Sequence, residues 1–66
     1  MLNLSEVIMQ HHELESFQQL VEIIKQRALD GELHFRIEVK PPYPDTPDDW
    51  EDQLEMAFYE PNRVQS

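Results

Sequence analysis

Residues 41 to 61 read PPYPDTPDDWEDQLEMAFYEP, and the structure of this stretch decides the architecture of the whole chain. Two periodicities compete within it. Leu54, Met56 and Phe58 alternate with polar residues as they would in a strand. Trp50, Leu54 and Phe58 also recur at helical spacing, with acidic residues on the opposite side. The first pattern would give the chain a second strand, and the second would give it a C-terminal helix.

Residues at the start of this stretch favour the helix. Thr46 supplies an N-cap, Pro47 occupies the first helical position, and two acids follow in the first turn. We therefore expect an acidic amphipathic helix over residues 47–59. Pro61 is expected to end it, because proline lacks the backbone N–H that the helix needs. Residues 62–66 then read as a frayed tail.

Residues 33–39 form the clearest strand pattern in the chain. Every second side chain from Leu33 to Val39 is apolar, which predicts a strand with one buried face. Two prolines directly after Lys40 end it. A single strand leaves its edges unpaired. We expect it to pair with a second copy across a dimer, or with a short second strand, for which Met1 to Leu4 is a weak candidate.

The first thirty residues contain neither Gly nor Pro and predict helix over about residues 4–29. Asn3 begins one capping pattern and Ser16 begins another. Gly31 suits a left-handed C-cap at the end. One long helix or a pair meeting near residues 12–16 would both fit, and we favour the pair because Ser16 would be wasted as a cap inside a helix.

The predicted fold class is therefore α+β, in one small acidic domain over residues 1–66. A chain of this length buries only about 60% of its unfolded surface, so a lone monomer would be marginal. It has no cysteine, which excludes disulfides and thiolate metal sites. Oligomerisation or docking on a partner remains as reinforcement. We expect a homodimer or an obligate complex.

The charge is strongly negative. Fourteen Asp and Glu against five Lys and Arg give a formal net charge of −9. This disfavours direct binding to nucleic acid or to an anionic membrane, since both need basic patches, and it favours steering toward a basic protein partner. No apolar run is long enough for a membrane span or a signal peptide, so we expect a cytoplasmic protein.

Residue types that carry metal or catalytic chemistry are present without the required pattern. His11, His12 and Glu15 lie close in sequence but match no zinc signature. The acids of residues 45–52 lack the glycine that a calcium-binding EF-hand loop requires. There is no glycine-rich phosphate loop and no nucleophile motif. We expect no metal, no cofactor and no enzymatic activity.

The acidic residues of the C-terminal half are the most distinctive feature. Between Pro41 and Pro61 there are seven acids and no Lys or Arg. A solvated face that only aids solubility is the simplest explanation. A partner-binding surface is favoured because no basic residue offsets the repulsion between acids on adjacent turns. We call the candidate partner-binding acids the acidic face: Asp45, Asp48, Asp49, Glu51, Asp52 and Glu55.

Two aromatic residues flank the acidic face. Trp50 lies on the apolar stripe and is expected to pack in the core. Tyr43 lies between prolines and is expected to be an exposed partner-binding anchor, because aromatic residues are enriched at interfaces.

These features predict an inhibitor or regulator that occupies the positively charged surface of a nucleic-acid-handling protein. In size and composition the chain resembles the small acidic proteins of phages and plasmids, including anti-CRISPR proteins and DNA mimics. No motif accompanies this resemblance, so it assigns no residue a role. Two alternatives remain: an antitoxin that neutralises a basic toxin, and a structural or assembly subunit.

Overall fold

The structure is a computed structural model that describes residues 1–64, with side chains described through Glu60. Within that range the chain forms three helices and a two-stranded sheet, so the α+β class is confirmed. The elements in chain order are β1 (Leu2–Asn3), α1 (Leu4–Gln10), α2 (Phe17–Leu29), β2 (Phe35–Arg36) and α3 (Trp50–Val64).

The N-terminal region is a helix pair, as the capping pattern predicts. Ser16 is the N-cap of α2, and its Oγ accepts a hydrogen bond from the Gln19 backbone N–H at 3.2 Å. The Gln19 side chain in turn accepts from the Glu15 backbone N–H at 2.7 Å. This reciprocal cap separates α2 from α1, because Ser16 has extended backbone angles that no continuous helix would allow.

A glycine determines where α2 ends. Gly31 has a φ of 111°, which is open to glycine and strained for other residues. The Glu32 N–H donates to the Arg27 carbonyl and the Gly31 N–H to the Ala28 carbonyl, both at 3.3 Å. These two bonds form a Schellman motif and satisfy carbonyls that the helix end would leave unpaired.

The predicted strand over residues 33–39 is wrong in length. Only Phe35–Arg36 forms β2, and it pairs in parallel with Leu2–Asn3 of the same chain. The ladder stops there because β1 passes directly into α1, leaving β2 nothing further to pair with. Leu33 is 74% exposed, so the alternating pattern does not bury every apolar side chain.

Helix α3 begins later than predicted. Its first residue is Trp50, not residue 47. Thr46 does not cap it: the Thr46 N–H closes a turn onto the Tyr43 carbonyl at 3.2 Å, and its buried Oγ1 has no partner among the described residues. The first backbone bond at this end runs from the Gln53 N–H to the Asp49 carbonyl at 3.1 Å.

Helix α3 also ends later than predicted, because it continues through Pro61 to Val64. Proline cannot donate the bond to the carbonyl four residues earlier, so this turn forms with one bond fewer. Residues 62–64, part of the segment expected to be a frayed tail, lie within this helix. Residues 65–66 lie outside the described part of the chain.

The core lies mainly between α2 and α3, with β1, α1 and β2 closing one side. Phe58 of α3 is fully buried and stacks on Phe35 of β2, with ring centroids 5.1 Å apart. This contact joins the C-terminal helix to the sheet. The largest fully buried side chains are Phe58, Leu4, Leu20, Ile24, Leu54 and Val7.

Candidate functional site

Most of the acidic face lies at the start of α3. Glu51, Asp52 and Glu55 are exposed on its first two turns, while Leu54 and Phe58 are buried on the opposite side. The helical period separates the two sets, because each residue advances the direction of its side chain by about 100°. Acids at a helix N-terminus are also favoured by the helix dipole.

Asp48 and Asp49 lie in the turn that leads into α3, and both are exposed. The Asp49 Oδ1 accepts from the Gln53 Nε2 at 2.9 Å, which ties this acid to the helix. No hydrogen bond among the described residues involves the Asp48 side chain. Five of the six acids of the acidic face are therefore exposed at the start of α3 or in the turn before it.

No basic side chain neutralises these acids within the part of the chain whose side chains are described. Two ion pairs form there: the Met1 N-terminus with Glu32 at 3.9 Å, and His11 with Glu13 at 3.1 Å. Neither reaches α3. The carboxylates of Glu51, Asp52 and Glu55 therefore face solvent with their charges unpaired by described lysines or arginines.

Asp45 has a different role in the fold. Its Oδ1 accepts a hydrogen bond from the Phe17 backbone N–H at 2.7 Å. Phe17 is the first residue of α2, whose leading N–H groups have no partner within the helix. The carboxylate thus anchors the proline-rich connector to α2 and is less free than the other acids to contact a partner.

Glu38 makes a matching contact at the start of α1, which sequence patterns did not reveal. The Ser5 N–H and the Ser5 Oγ both donate to its Oε1 at 3.0 Å. Hydrogen bonding to the Ser5 backbone, more than any other influence, lowers the pKa of Glu38 below its ordinary value. Two carboxylates distant in sequence therefore cap α1 and α2.

The two aromatic residues flanking the acidic face are both half-buried. Tyr43 packs against the core from the connector, so it is less exposed than a free anchor would be. Burial, and secondarily the charge of Glu13, raises the pKa of the Tyr43 hydroxyl. Trp50 packs against the same core at the start of α3.

Two exposed side chains on α3 were not among the predicted site residues. Met56 is 59% exposed and Tyr59 is 42% exposed. Together with Asp52 and Glu55 they line a shallow groove on the outer side of the helix. Helical spacing alone would have found them, because Met56 follows Asp52 by four residues and Tyr59 follows Glu55 by four.

The histidine cluster does not converge with other ligands. His11 is paired with Glu13, and no group of three or more His, Asp or Glu side chains among the described residues could hold a metal ion. Of the helices in the described chain, none has the length and apolar character needed to cross a bilayer.

Comparison of the chain with protein-family models, with curated proteins and with solved structures found no match. The candidate functional site is therefore defined by its own side chains: the exposed carboxylates at the start of α3, with Met56 and Tyr59 beside them.

Proposed function

We propose that this protein is a small, non-enzymatic binding protein that inhibits or regulates a basic, nucleic-acid-handling protein by occupying its positively charged surface. It acts in the cytoplasm and as a homodimer. The observation that carries the proposal is the exposure of Asp48, Glu51, Asp52 and Glu55 at the start of α3, with no described basic side chain paired to them.

The spacing of these acids suits a groove that normally holds a phosphate backbone. Glu51 and Glu55 are about 6 Å apart along the helix axis, and Asp52 lies between them within one side of the helix. Three charges in this length have a mean spacing of about 3 Å, which is sparser than duplex DNA with about one charge per 1.7 Å. The match extends over little more than one turn, so the protein would fill part of a basic groove.

Repulsion within the acidic face supports a basic partner. Glu51 and Glu55 are four residues apart in α3, and like charges at this spacing destabilise a helix by a few tenths of a kcal/mol per pair. Lysines and arginines of a partner would replace repulsion with attraction. The net charge of −9 would also accelerate the encounter with such a partner.

The test begins with a pulldown from the native host and identification of the partner by mass spectrometry. The affinity is then measured for a triple variant, Asp48→Ser, Asp52→Ser and Glu55→Ser. We expect it to weaken at least tenfold, because rim and groove charges set the strength and salt dependence of such complexes. The variant should unfold at about the same urea concentration as the wild type, because relief of repulsion offsets the loss of the favourable interaction with the helix dipole.

A matched control removes three exposed acids elsewhere, by substituting Glu15, Glu22 and Asp30 with serine. This variant has the same net charge as the triple variant of α3. If both weaken the complex equally, the acidic face has no specific role and only net charge matters. Wild-type affinity in the α3 variant would mean that the acidic face does not bind the partner and serves only solubility.

A structural or assembly subunit is the second candidate. The exposed apolar side chains Met56 and Tyr59 favour it, because they offer contact area that an electrostatic inhibitor does not need. Salt separates the two functions. Affinity for a basic partner falls steeply as ionic strength rises, whereas an apolar assembly contact hardly changes.

A further inference from the structure

Strand β2 has one edge that β1 does not cover. The Leu2 N–H donates to the His34 carbonyl at 2.8 Å, and Leu2 is in register with Phe35. In a parallel pair with this register, Leu2 bonds to the residues on either side of Phe35. The N–H and C=O of Phe35 therefore point away from β1. No hydrogen bond among the described residues uses either group.

The sequence around this open edge is complementary to itself. Residues 32–40 read ELHFRIEVK, with Arg36 at the centre. When two copies run antiparallel about that residue, apolar residues meet apolar ones and acids meet basic residues or histidine. Within residues 34–38 the opposed pairs are Phe35 with Ile37 and His34 with Glu38. The sequence match, though not the extended backbone, continues with Leu33 and Val39 and with Glu32 and Lys40.

The direction in which successive residues point their backbone N–H and C=O groups agrees with this arrangement. Phe35 directs its backbone groups to the open edge, and so does Ile37 if the extended chain continues one step further. An antiparallel pair centred on Arg36 places Phe35 opposite Ile37 of the second copy, twice by symmetry. Both are then hydrogen-bonded pairs, and Arg36 falls at a non-hydrogen-bonded position with its side chain toward solvent.

We propose that the open edge of β2 pairs antiparallel with the same edge of a second copy, about a two-fold axis at Arg36. The result is a homodimer with one four-stranded sheet, in which the two β2 strands are central. The inference specifies the surface and register of the homodimer included in the proposed function, and it does not depend on the basic partner.

Neighbouring registers fit less well. Centring the pair on Phe35 would place Glu32 opposite Glu38, twice. Centring it on Ile37 would need extended backbone at Val39, where the chain bends, and would place Pro41 at a position that requires an N–H. The register at Arg36 uses residues 34–38, all of which precede the bend.

Charge determines how this dimer responds to salt. Each copy has a net charge of −9, so two copies repel at long range. The edge itself is nearly balanced, because within residues 34–38 each copy contributes Arg36 and Glu38, whose charges cancel. Salt screens the long-range repulsion more than the contacts at the edge. Dimerisation should therefore strengthen with salt, whereas binding to a basic partner should weaken.

Sedimentation equilibrium of the chain alone tests the proposal, with loading concentrations up to about 1 mM to include a weak edge contact. The variant His34→Glu replaces both His–Glu pairs with Glu–Glu pairs, and we expect the dimer Kd to rise about tenfold. His12→Glu is the matched control, because it makes the same substitution at an exposed site between α1 and α2. The dimer Kd of this variant should change little.

A second variant is expected to lower the dimer Kd instead of raising it. Arg36→Gln removes the repulsion between the two central arginines and should lower the Kd about threefold. Its control, Lys25→Gln, makes the same change in net charge on α2 and should raise the Kd slightly through greater long-range repulsion. Circular dichroism of each variant confirms that it is folded, and slower exchange of the Phe35 amide at high concentration locates the contact.

A monomer at every concentration would overturn the proposal. A dimer that responds equally to His34→Glu and His12→Glu, or that weakens in Arg36→Gln, would exclude this edge or this register. None of these measurements includes the basic partner. A loss of dimerisation therefore leaves the α3 affinity test unaffected, and failure of that test leaves the dimer result unaffected.

Discussion

Asp45→Ala should destabilise the fold although Asp45 is exposed. Its carboxylate accepts the Phe17 N–H at 2.7 Å, at the first residue of α2. Alanine removes this acceptor from a part-buried N–H group. It also removes a negative charge from the positive end of the helix dipole. Both changes act on α2, which forms one side of the core.

The magnitude follows from the contact. Losing a side-chain acceptor at a helix start typically costs about 1 kcal/mol, and the exposure of Asp45 argues against a larger value. A 66-residue domain has a total stability of about 3–10 kcal/mol. The variant should therefore stay folded, with a Tm lower by about 4–8 °C. Asp45→Asn keeps an acceptor and should lose about half as much.

Equilibrium urea unfolding, followed by circular dichroism at 222 nm, measures the change. Asp48→Ala is the matched control, because it removes an acid three residues away that forms no hydrogen bond among the described residues. It should leave the unfolding free energy unchanged or raise it slightly. Equal stability of the two variants would refute the capping role of Asp45. Its carboxylate would then be as free as the other acids to contact a partner.

Three further substitutions test individual contacts. Glu38→Gln should lower stability near neutral pH. Hydrogen bonding to Ser5 lowers the folded-state pKa of Glu38 below 4.5, so the stability that the carboxylate contributes is lost as pH falls through that lowered pKa. Urea unfolding across acid pH should therefore show the stability of the variant converging on that of the wild type. Thr46→Val should raise stability by up to about 1 kcal/mol in urea unfolding, since it removes a buried hydroxyl with no partner among the described residues; a loss would mean that Thr46 caps α3 after all. Gly31→Ala should cost about 1 kcal/mol in thermal unfolding because φ is 111°, although the added Cβ has no neighbour within 4 Å. Asp30→Ala, where φ is −76°, serves as its control and should change stability much less.

Local signals predicted most of the helical structure. The Ser16 cap and Gly31 act through hydrogen bonds within three to five residues, so their effect can be inferred without knowing the rest of the fold. The limits of α3 were less predictable. Thr46 and Pro61 both carry strong local preferences, yet α3 begins four residues after Thr46 and continues past Pro61. Burial of Leu54 and Phe58 sets the position of the helix more firmly than its terminal residues do.

The candidate site divides in the same way. The period of α3 already placed Glu51, Asp52 and Glu55 on the outer side, because side-chain direction along a helix follows from sequence spacing. Asp45 could not be separated from them by pattern, since its partner Phe17 lies 28 residues away. The same helical period also places Met56 beside Asp52, although the apolar character of Met56 gave no reason to expect it in an acidic site.

By itself the sequence determined the elements whose causes are local: the helix pair, the glycine stop, the outward acids of α3 and the absence of disulfides. Only the tertiary structure decided which distant groups meet. It selected Leu2–Asn3 as the partner of β2, limited that strand to two residues, and assigned Glu38 and Asp45 to helix ends. Such contacts depend on how the packed helices bring separate segments together, and no short window of sequence contains that information.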